Sequence, residues 1–519
     1  MEYINLVLGL MSFFFIGYAP VYFLLTGKGG FKVGSRSVSG GFFIFFLSFF
    51  IGGLMTSWLL TMLSIFDIQF STEVIYGTSA VFFVFYIYNF LSVRFRSSER
   101  KSMGRLDRDI TAARERSRQK KKDEHEVKKE TGPGADLSQG RPGESRSSRI
   151  IFIVLTALII LNFAAIVFLT IIFPIRFWDA ISCWSLKGKA FFIDGIINNF
   201  YTAHDYGFSH PSYPLYLPLM QTWLMSWMGK INENFLKIIF PIFYSSLLVC
   251  LYYLFRQRLR KLYSIIFVFI VSVIPIIVDH GYIEYANLIF SVVLLLAVYF
   301  FYLAAELGGK TTYLILSAMF FSITALTRSE GIIYLAVFMI MVLAFFFYRL
   351  AVKSPLKRNL LNLLMPAAVI IIFLVPWYAL KLKLGLPAIS LEWQLFMGGG
   401  AAGGLDPDFG RAAAVMGLQF LASAYDSTRA VLGSFYGPVW ILLLLAMLFS
   451  LKRHFVRYNW IFFVFIFTGM ASIFISLASI PEFANSTERY ILHLFPLAYY
   501  WIMTNSIGRS LRERNGWAR

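Results

Sequence analysis

Charge is scarce in this chain. Asp, Glu, Lys and Arg make up 14% of its 519 residues, against roughly 25% in a soluble domain, which excludes an ordinary water-soluble fold. Cysteine is nearly absent. Cys183 and Cys250 are too few for a disulfide framework, so no redox compartment is read from them. No internal repeat is visible, which argues against a transporter built of two inverted halves. Met1–Asn5 lacks the basic start of a cleavable signal, and the apolar stretch behind it is long enough to span a bilayer. What fills the chain is hydrocarbon: 58% hydrophobic residues, with 56 Phe, 28 Tyr and 11 Trp. The net charge of +19 does not mark a nucleic-acid binder, because the excess lies mostly in loops between apolar stretches, where it sets topology.

A membrane span needs about 20 mostly apolar residues. The sequence predicts an all-α integral membrane protein of about thirteen such helices, near 4–26, 41–65, 75–95, 150–173, 236–255, 262–278, 286–305, 312–327, 331–349, 360–380, 430–450, 459–479 and 489–508. With the N-terminus outside, every clearly basic loop falls on the cytoplasmic side, as the positive-inside rule requires. These loops include Lys28 to Arg36, Arg256 to Lys261, Arg349 to Arg358, and Arg94–Arg149 with 17 Lys+Arg against 10 Asp+Glu. The C-terminus is then cytoplasmic. Three blocks follow: a three-span unit over 1–96, a basic cytoplasmic linker over 97–149, and a ten-span unit over 150–519. The linker has the polar composition of a solvated tether.

The outer loops carry the chemistry. The largest, 175–235, holds Asp179 in Arg176-Phe177-Trp178-Asp179-Ala180, followed by Lys187, Asp194, His204, Asp205, His210 and Tyr213. Within it, Ile181–Phe200 and Tyr213–Met228 read as amphipathic helices lying in the interface, anchored by Trp184, Trp223 and Trp227. The prolines of His210–Pro218 predict a rigid turn before the second helix. Asp279 and Glu284 lie in the next outer loop, Arg328 and Glu330 in a third, and Arg489 in the last. The glycine-rich stretch between Lys381 and Arg429 reads as a lid. Acids and bases from several loops at similar depth predict a polar cavity at the outer interface that sets an anionic phosphate against Arg and Lys. Structural readings stand beside the chemical ones. Asp179 is also a fitting helix N-cap, Arg328 and Glu330 a fitting ion pair, and Arg489 a fitting interface anchor. His204, Asp205 and His210 are residue types that ligate zinc, so a divalent cation is the one cofactor left open.

Over residues 150–519 this order of motifs resembles the polytopic glycosyltransferases of the GT-C class, within it the protein mannosyltransferase and lipid A aminoarabinose transferase group. The likeness rests on Phe177-Trp178-Asp179, His210–Pro218, Asp279–Glu284, Arg328–Gly331, Pro376-Trp377-Tyr378 and Arg489-Tyr490. It implies transfer of a sugar, with inversion, from a polyprenyl-phosphate carrier to a glycan, lipid or protein acceptor outside the cytoplasm, in a bacterial inner membrane. Asp179 would be the general base, Arg328, Arg489 and Lys187 the phosphate ligands, and His210, Tyr213 and Glu330 further pocket residues. Family members usually carry a second acid beside the first. Here Ala180 follows Asp179, so that role falls to Asp194, Asp279 or Glu284. The first 96 residues match nothing in the group. The rival reading is a transporter or flippase for a lipid-linked sugar, disfavoured because the charges gather in outer loops rather than at mid-membrane.

Overall fold

The computed structural model describes residues 2–26, 38–88, 146–202, 207–387, 436, 439–479 and 487–513, and the regular structure among them is all helical. A bilayer core offers no water to the backbone, so each crossing segment satisfies its own amides by winding into a helix. The N-terminal helices are α1 (Glu2–Thr26), α2 (Val38–Ile65) and α3 (Thr72–Tyr88). Next come α4 (Arg146–Ile172), the short helices α5 (Leu186–Asp194) and α6 (Asn198–Thr202), α7 (Tyr216–Met228) and α8 (Glu233–Leu236). The body continues with α9 (Ile239–Arg256), α10 (Lys261–Ser272), α11 (Pro275–Asp279), α12 (Ala286–Glu306), α13 (Thr311–Thr327), α14 (Gly331–Ala351) and α15 (Leu356–Lys383). It ends with α16 (Val439–Leu448), α17 (Leu451–His454), α18 (Trp460–Ser479) and α19 (Thr487–Glu513).

Seven of these segments are long and apolar enough to cross a membrane: α1, α2, α4, the α8–α9 stretch, α12, α14 and α15. α3, α10, α13 and the Trp460–Ile475 part of α18 are apolar but shorter. The span expected near 430–450 is represented by the ten residues of α16. Thirteen crossings are therefore more than the described residues establish. Burial separates helices of similar composition. α12 is buried along nearly its whole length and forms the centre, packed on α13 and α19. α4 fully buries only Ile166 and Thr170; one side packs on α9 and α10 and the other is exposed, the pattern of a helix whose outer solvent is lipid.

The N-terminal helices pack into the body. α1 and α2 cross where Gly17 meets Gly52. A Cβ on Gly17 would lie 1.9 Å from the Ser48 carbonyl oxygen, and one on Gly52 would lie 1.8 Å from that of Phe13. Two backbones this close tolerate only hydrogen at both positions. α1 and α2 also cover α7, α2 packs on α9 and α15, and the rings of Phe43 and Tyr253 stack 4.0 Å apart. Polar clasps close the same rim. Glu2 pairs with Lys230 and Asn232, each at 2.6 Å. Asp67 pairs with Lys383 at 2.6 Å and Asn198 at 2.7 Å.

This packing corrects the expected interfacial helix. Twelve of the thirteen residues of α7 are buried. Trp223 is enclosed, its indole donating to the Ser12 hydroxyl at 2.8 Å, and Trp184 is buried too. Only Trp227 is half-buried, against Tyr76 of α3. The polar positions that read as a water-facing side turn inward instead: Thr222 donates to Pro218 and Gly188, and Ser226 to Thr222.

Candidate functional site

The site is built where α4 ends. Phe177 takes a positive φ of 75°, costly for an aromatic residue. After it the chain winds into one wide π-helical turn, Ala180–Ser185, which α5 continues. Such turns recur at functional sites because the extra residue re-aims side chains. Asp179 precedes this turn and makes no side-chain cap bond. Its Oδ2 instead accepts from Arg489 Nη1 at 2.7 Å. The capping reading of Asp179 is thus set aside, and Arg489 is more than a snorkelling anchor. Arg489 lies in the first turn of α19, 310 positions away in sequence, and its guanidinium also covers the Tyr285 ring at 4.9 Å.

Arg328 stands opposite, just beyond the C-terminus of α13. It donates to Glu330 at 3.1 and 3.3 Å, to the Tyr490 hydroxyl at 3.1 Å and to the Asn287 side-chain oxygen at 3.3 Å. Asn287, in the first turn of α12, donates in turn to the Arg489 carbonyl at 3.1 Å. Asn287 therefore ties the Arg328 guanidinium to the backbone of Arg489. Between the two guanidiniums lies a small, partly open cavity of about 40 Å³ lined by Asp179, Cys183, Trp184, His210, Tyr213, Asn287, Arg328, Arg489 and Tyr490. A carboxylate and two guanidiniums on one wall set can take a proton and hold an oxyanion.

His210 and Tyr213 close the cavity as a stacked pair, with ring centres 4.7 Å apart. His210 sits at a positive φ of 50°, and its carbonyl accepts from the Tyr213 amide at 3.0 Å and the Lys187 ammonium at 2.8 Å. Lys187 is fully buried, and that burial lowers its pKa to about 7. Its ammonium is spent on the loop that carries His210 and is not among the cavity walls. Glu330 reaches the cavity only through Arg328.

The candidate second acids are not brought to Asp179. Asp194 ends α5, roughly 13 Å of helix from the start of that element, beside Gly195 and the α2–α3 connection. Asp279 accepts from the Tyr282 hydroxyl at 3.0 Å, and burial raises its pKa. Glu284 is 2% exposed and lies 3.9 Å from Lys237, itself 1% exposed. Burial pushes the Glu284 pKa up to about 7, outweighing the pull of Lys237. Lys237 also donates to the Phe173 carbonyl at the end of α4, so this pair braces the helix that delivers Asp179. His204 and Asp205 lie outside the described residues, as do positions 388–435, where the lid is expected. Among the described residues no three of His, Cys, Asp and Glu gather to hold a metal. Sequence reasoning missed Asn287 and Cys183. Neither carries a motif; only the fold brings them to the wall.

An all-helical chain with candidate membrane spans, and an acid and two guanidiniums around one cavity, defines a polytopic membrane protein. Comparison sharpens that class. Residues 214–378 match the family model of dolichyl-phosphate-mannose-protein mannosyltransferases, so the chain resembles the GT-C glycosyltransferases. The matched stretch contains Asn287 and Arg328 but neither Asp179 nor Arg489. No curated protein matches. A solved structure of the archaeal oligosaccharyltransferase AglB from Archaeoglobus fulgidus, in complex with an inhibitory peptide and a dolichol-phosphate, is similar with 14% identity and a TM-score of 0.41. The likeness covers 72% of this chain and 52% of that one, so it spans about half the length of AglB.

Proposed function

We propose that this protein transfers a sugar from a polyprenyl-phosphate carrier to an acceptor hydroxyl, with inversion at the anomeric carbon. Asp179 takes the proton of the hydroxyl, which is too weak a nucleophile alone. The acceptor oxygen attacks the anomeric carbon from the face opposite the phosphate. The bond from that carbon to the phosphate oxygen breaks, and its electron pair leaves on the lipid phosphate. Arg328 and Arg489 take up that charge, as preorganised cations do for a developing oxyanion. The observation that carries the reading is the shared cavity of Asp179 with these two guanidiniums. The family match over residues 214–378 supports the reaction class. The basic loops support a site facing away from the cytoplasm; a bacterial inner membrane is what the family resemblance implies.

The test is release of free polyprenyl phosphate from a labelled polyprenyl-phosphate sugar, with envelope extract as acceptor. Wild type is expected to release it, and Asp179→Asn to release none while melting at the wild-type temperature. Equal release by both would remove Asp179 from the chemistry. No release by either, across several donor sugars, would overturn the transferase reading.

A further inference from the structure

The loop between α11 and α12 keeps its acids away from Asp179, but it brings two rings to the site. Tyr285 is buried just before α12. The Arg489 guanidinium covers its ring, with the central carbon 4.9 Å from the ring centre. His280 backs the same ring at 5.6 Å, tilted by 45°, and Phe177 packs on it at 6.0 Å. The residue strained at a φ of 75° is thus one of those that hold this ring.

α19 repeats the arrangement. The Arg328 guanidinium lies 5.0 Å from the centre of the Tyr490 ring and donates to its hydroxyl at 3.1 Å. His493, one turn further along α19, meets the Tyr490 ring edge-on at 5.5 Å. It packs on Phe290 of α12 at 4.3 Å. Each guanidinium of the cavity therefore rests on a tyrosine, and each tyrosine is backed by a buried imidazole.

The two imidazoles are uncharged. A carbonyl oxygen only accepts, so the 2.8 Å contact of His280 Nδ1 with the Ile276 carbonyl places the hydrogen on Nδ1. Its Nε2 is then bare. That atom is buried without a hydrogen-bond partner among the described residues, as is Nε2 of His493. A second proton on either ring would have no acceptor there and would stand near two guanidiniums. Burial, helped by Arg489 and Arg328, holds the His280 pKa down at about 4.

We propose that Tyr285 and Tyr490 are positioning residues for the carrier phosphate: each lays one guanidinium at the cavity, while His280 and His493 hold the two rings from behind and add no charge. The proposal rests on the polyprenyl-phosphate reading and deepens it. An aromatic face attracts a cation, most strongly where water is excluded. A guanidinium laid on a ring has its N–H edge directed in advance, so less side-chain freedom is lost when phosphate arrives. Tyr285, His280 and His493 are not among the cavity walls; they act through the arginines. The loop 279–285 thereby serves the site through its rings, where its carboxylates do not.

The experiment measures the dissociation constant of labelled undecaprenyl phosphate for the full chain in nanodiscs, with each tyrosine varied in each arginine background. Tyr285→Leu is expected to weaken binding about two- to thirtyfold. Tyr285→Phe should bind as wild type does, because the ring and not the hydroxyl carries Arg489. His280→Leu should weaken binding by a smaller factor than Tyr285→Leu. In the Arg489→Gln background the effects of Tyr285→Leu and His280→Leu should vanish and that of Tyr490→Leu should persist; in the Arg328→Gln background the pattern should reverse. General loosening of the fold cannot produce this crossed pairing, since it lowers binding alike in both backgrounds. Equal effects of Tyr285→Leu in the two backgrounds overturn the proposal, as does wild-type affinity in both leucine variants. Wild type that binds no polyprenyl phosphate overturns the donor reading and the positioning role with it. Wild type that binds while the crossed pattern fails overturns the positioning role alone. Thermal midpoints check every variant. Tyr490→Phe, which removes only the hydroxyl that accepts from Arg328, keeps the result readable if a leucine variant fails to fold: its loss should vanish in the Arg328→Gln background and persist in Arg489→Gln.

Discussion

The contact between Asp179 and Arg489 predicts effects of opposite sign on binding and turnover. The proposed base and one proposed phosphate ligand bind each other at 2.7 Å, with side chains 39% and 22% exposed. A pair this open is worth about 1 kcal/mol at most. An arriving phosphate must draw Arg489 away, and in doing so it frees the base. Asp179→Asn removes that competition, so polyprenyl phosphate should bind up to about fivefold tighter, while turnover falls by about 10²- to 10⁴-fold. Arg489→Gln removes a charge-assisted bond of about 1.5–3 kcal/mol and should weaken binding by about 10- to 150-fold. In the double variant the competition no longer exists. Asp179→Asn should then give no further tightening, and the cycle reports the coupling directly. Titration of labelled polyprenyl phosphate on the four proteins, with single-turnover rates, supplies every number. Tightening by Asp179→Asn that persists in the Arg489→Gln background would mean plain charge repulsion and refute the latch. Weaker binding in Asp179→Asn would refute the competition altogether.

Other outcomes follow from the packing. Gly52→Ala should cost about 1–3 kcal/mol, because its Cβ would fall 1.8 Å from the Phe13 oxygen, whereas Gly77→Ala, with nothing within 4 Å, should be silent; thermal midpoints in detergent compare them. Trp58→Phe should lose about 0.5–1.5 kcal/mol with the bond to Ile372, and Pro376→Ala in that background should restore part of it by returning the helical amide; no restoration would deny the carbonyl its role. Glu284 holds a proton in the folded chain up to about pH 7 that it loses near pH 4.5 when unfolded. Its stabilising contribution is therefore full at low pH and lost as pH rises through about 7. Glu284→Gln should flatten that decline in thermal midpoint between about pH 4.5 and 7; parallel curves for the two proteins would place the titration elsewhere.

Much of this architecture was legible in the sequence because hydrocarbon leaves the backbone few choices. Helices α1, α2, α9, α12, α14 and α15 lie within a few residues of the runs that predict them. Composition cannot say which face of a helix meets lipid and which meets protein. α4 and α12 are about equally apolar, yet one is exposed along most of its length and the other is buried. The candidate site divides on the same principle. Asp179, Arg328, Arg489, His210 and Tyr213 are legible as charged or aromatic residues at loop edges, and they do line one cavity. Lys187, Glu284 and Asp194 carry the same signal but serve the scaffold or stand apart, because the fold spends an ammonium on a carbonyl as readily as on a phosphate.

The sharpest departure concerns α7, and it bears on why the first three helices exist. A helix with Thr222, Ser226 and three tryptophans nearby reads as interfacial only if nothing covers it. α1 and α2 cover it, and the Gly17–Gly52 crossing lets them do so as one thin layer. The covering also brings Trp58 to the Ile372 carbonyl, four residues before Pro376 of α15, and Tyr216 to the Phe50 carbonyl. Removing the N-terminal helices would therefore uncover a buried apolar helix and take the indole donor from the Ile372 carbonyl. A segment that matches nothing in the resembling family is on this argument structural, since its first two helices are what bury α7.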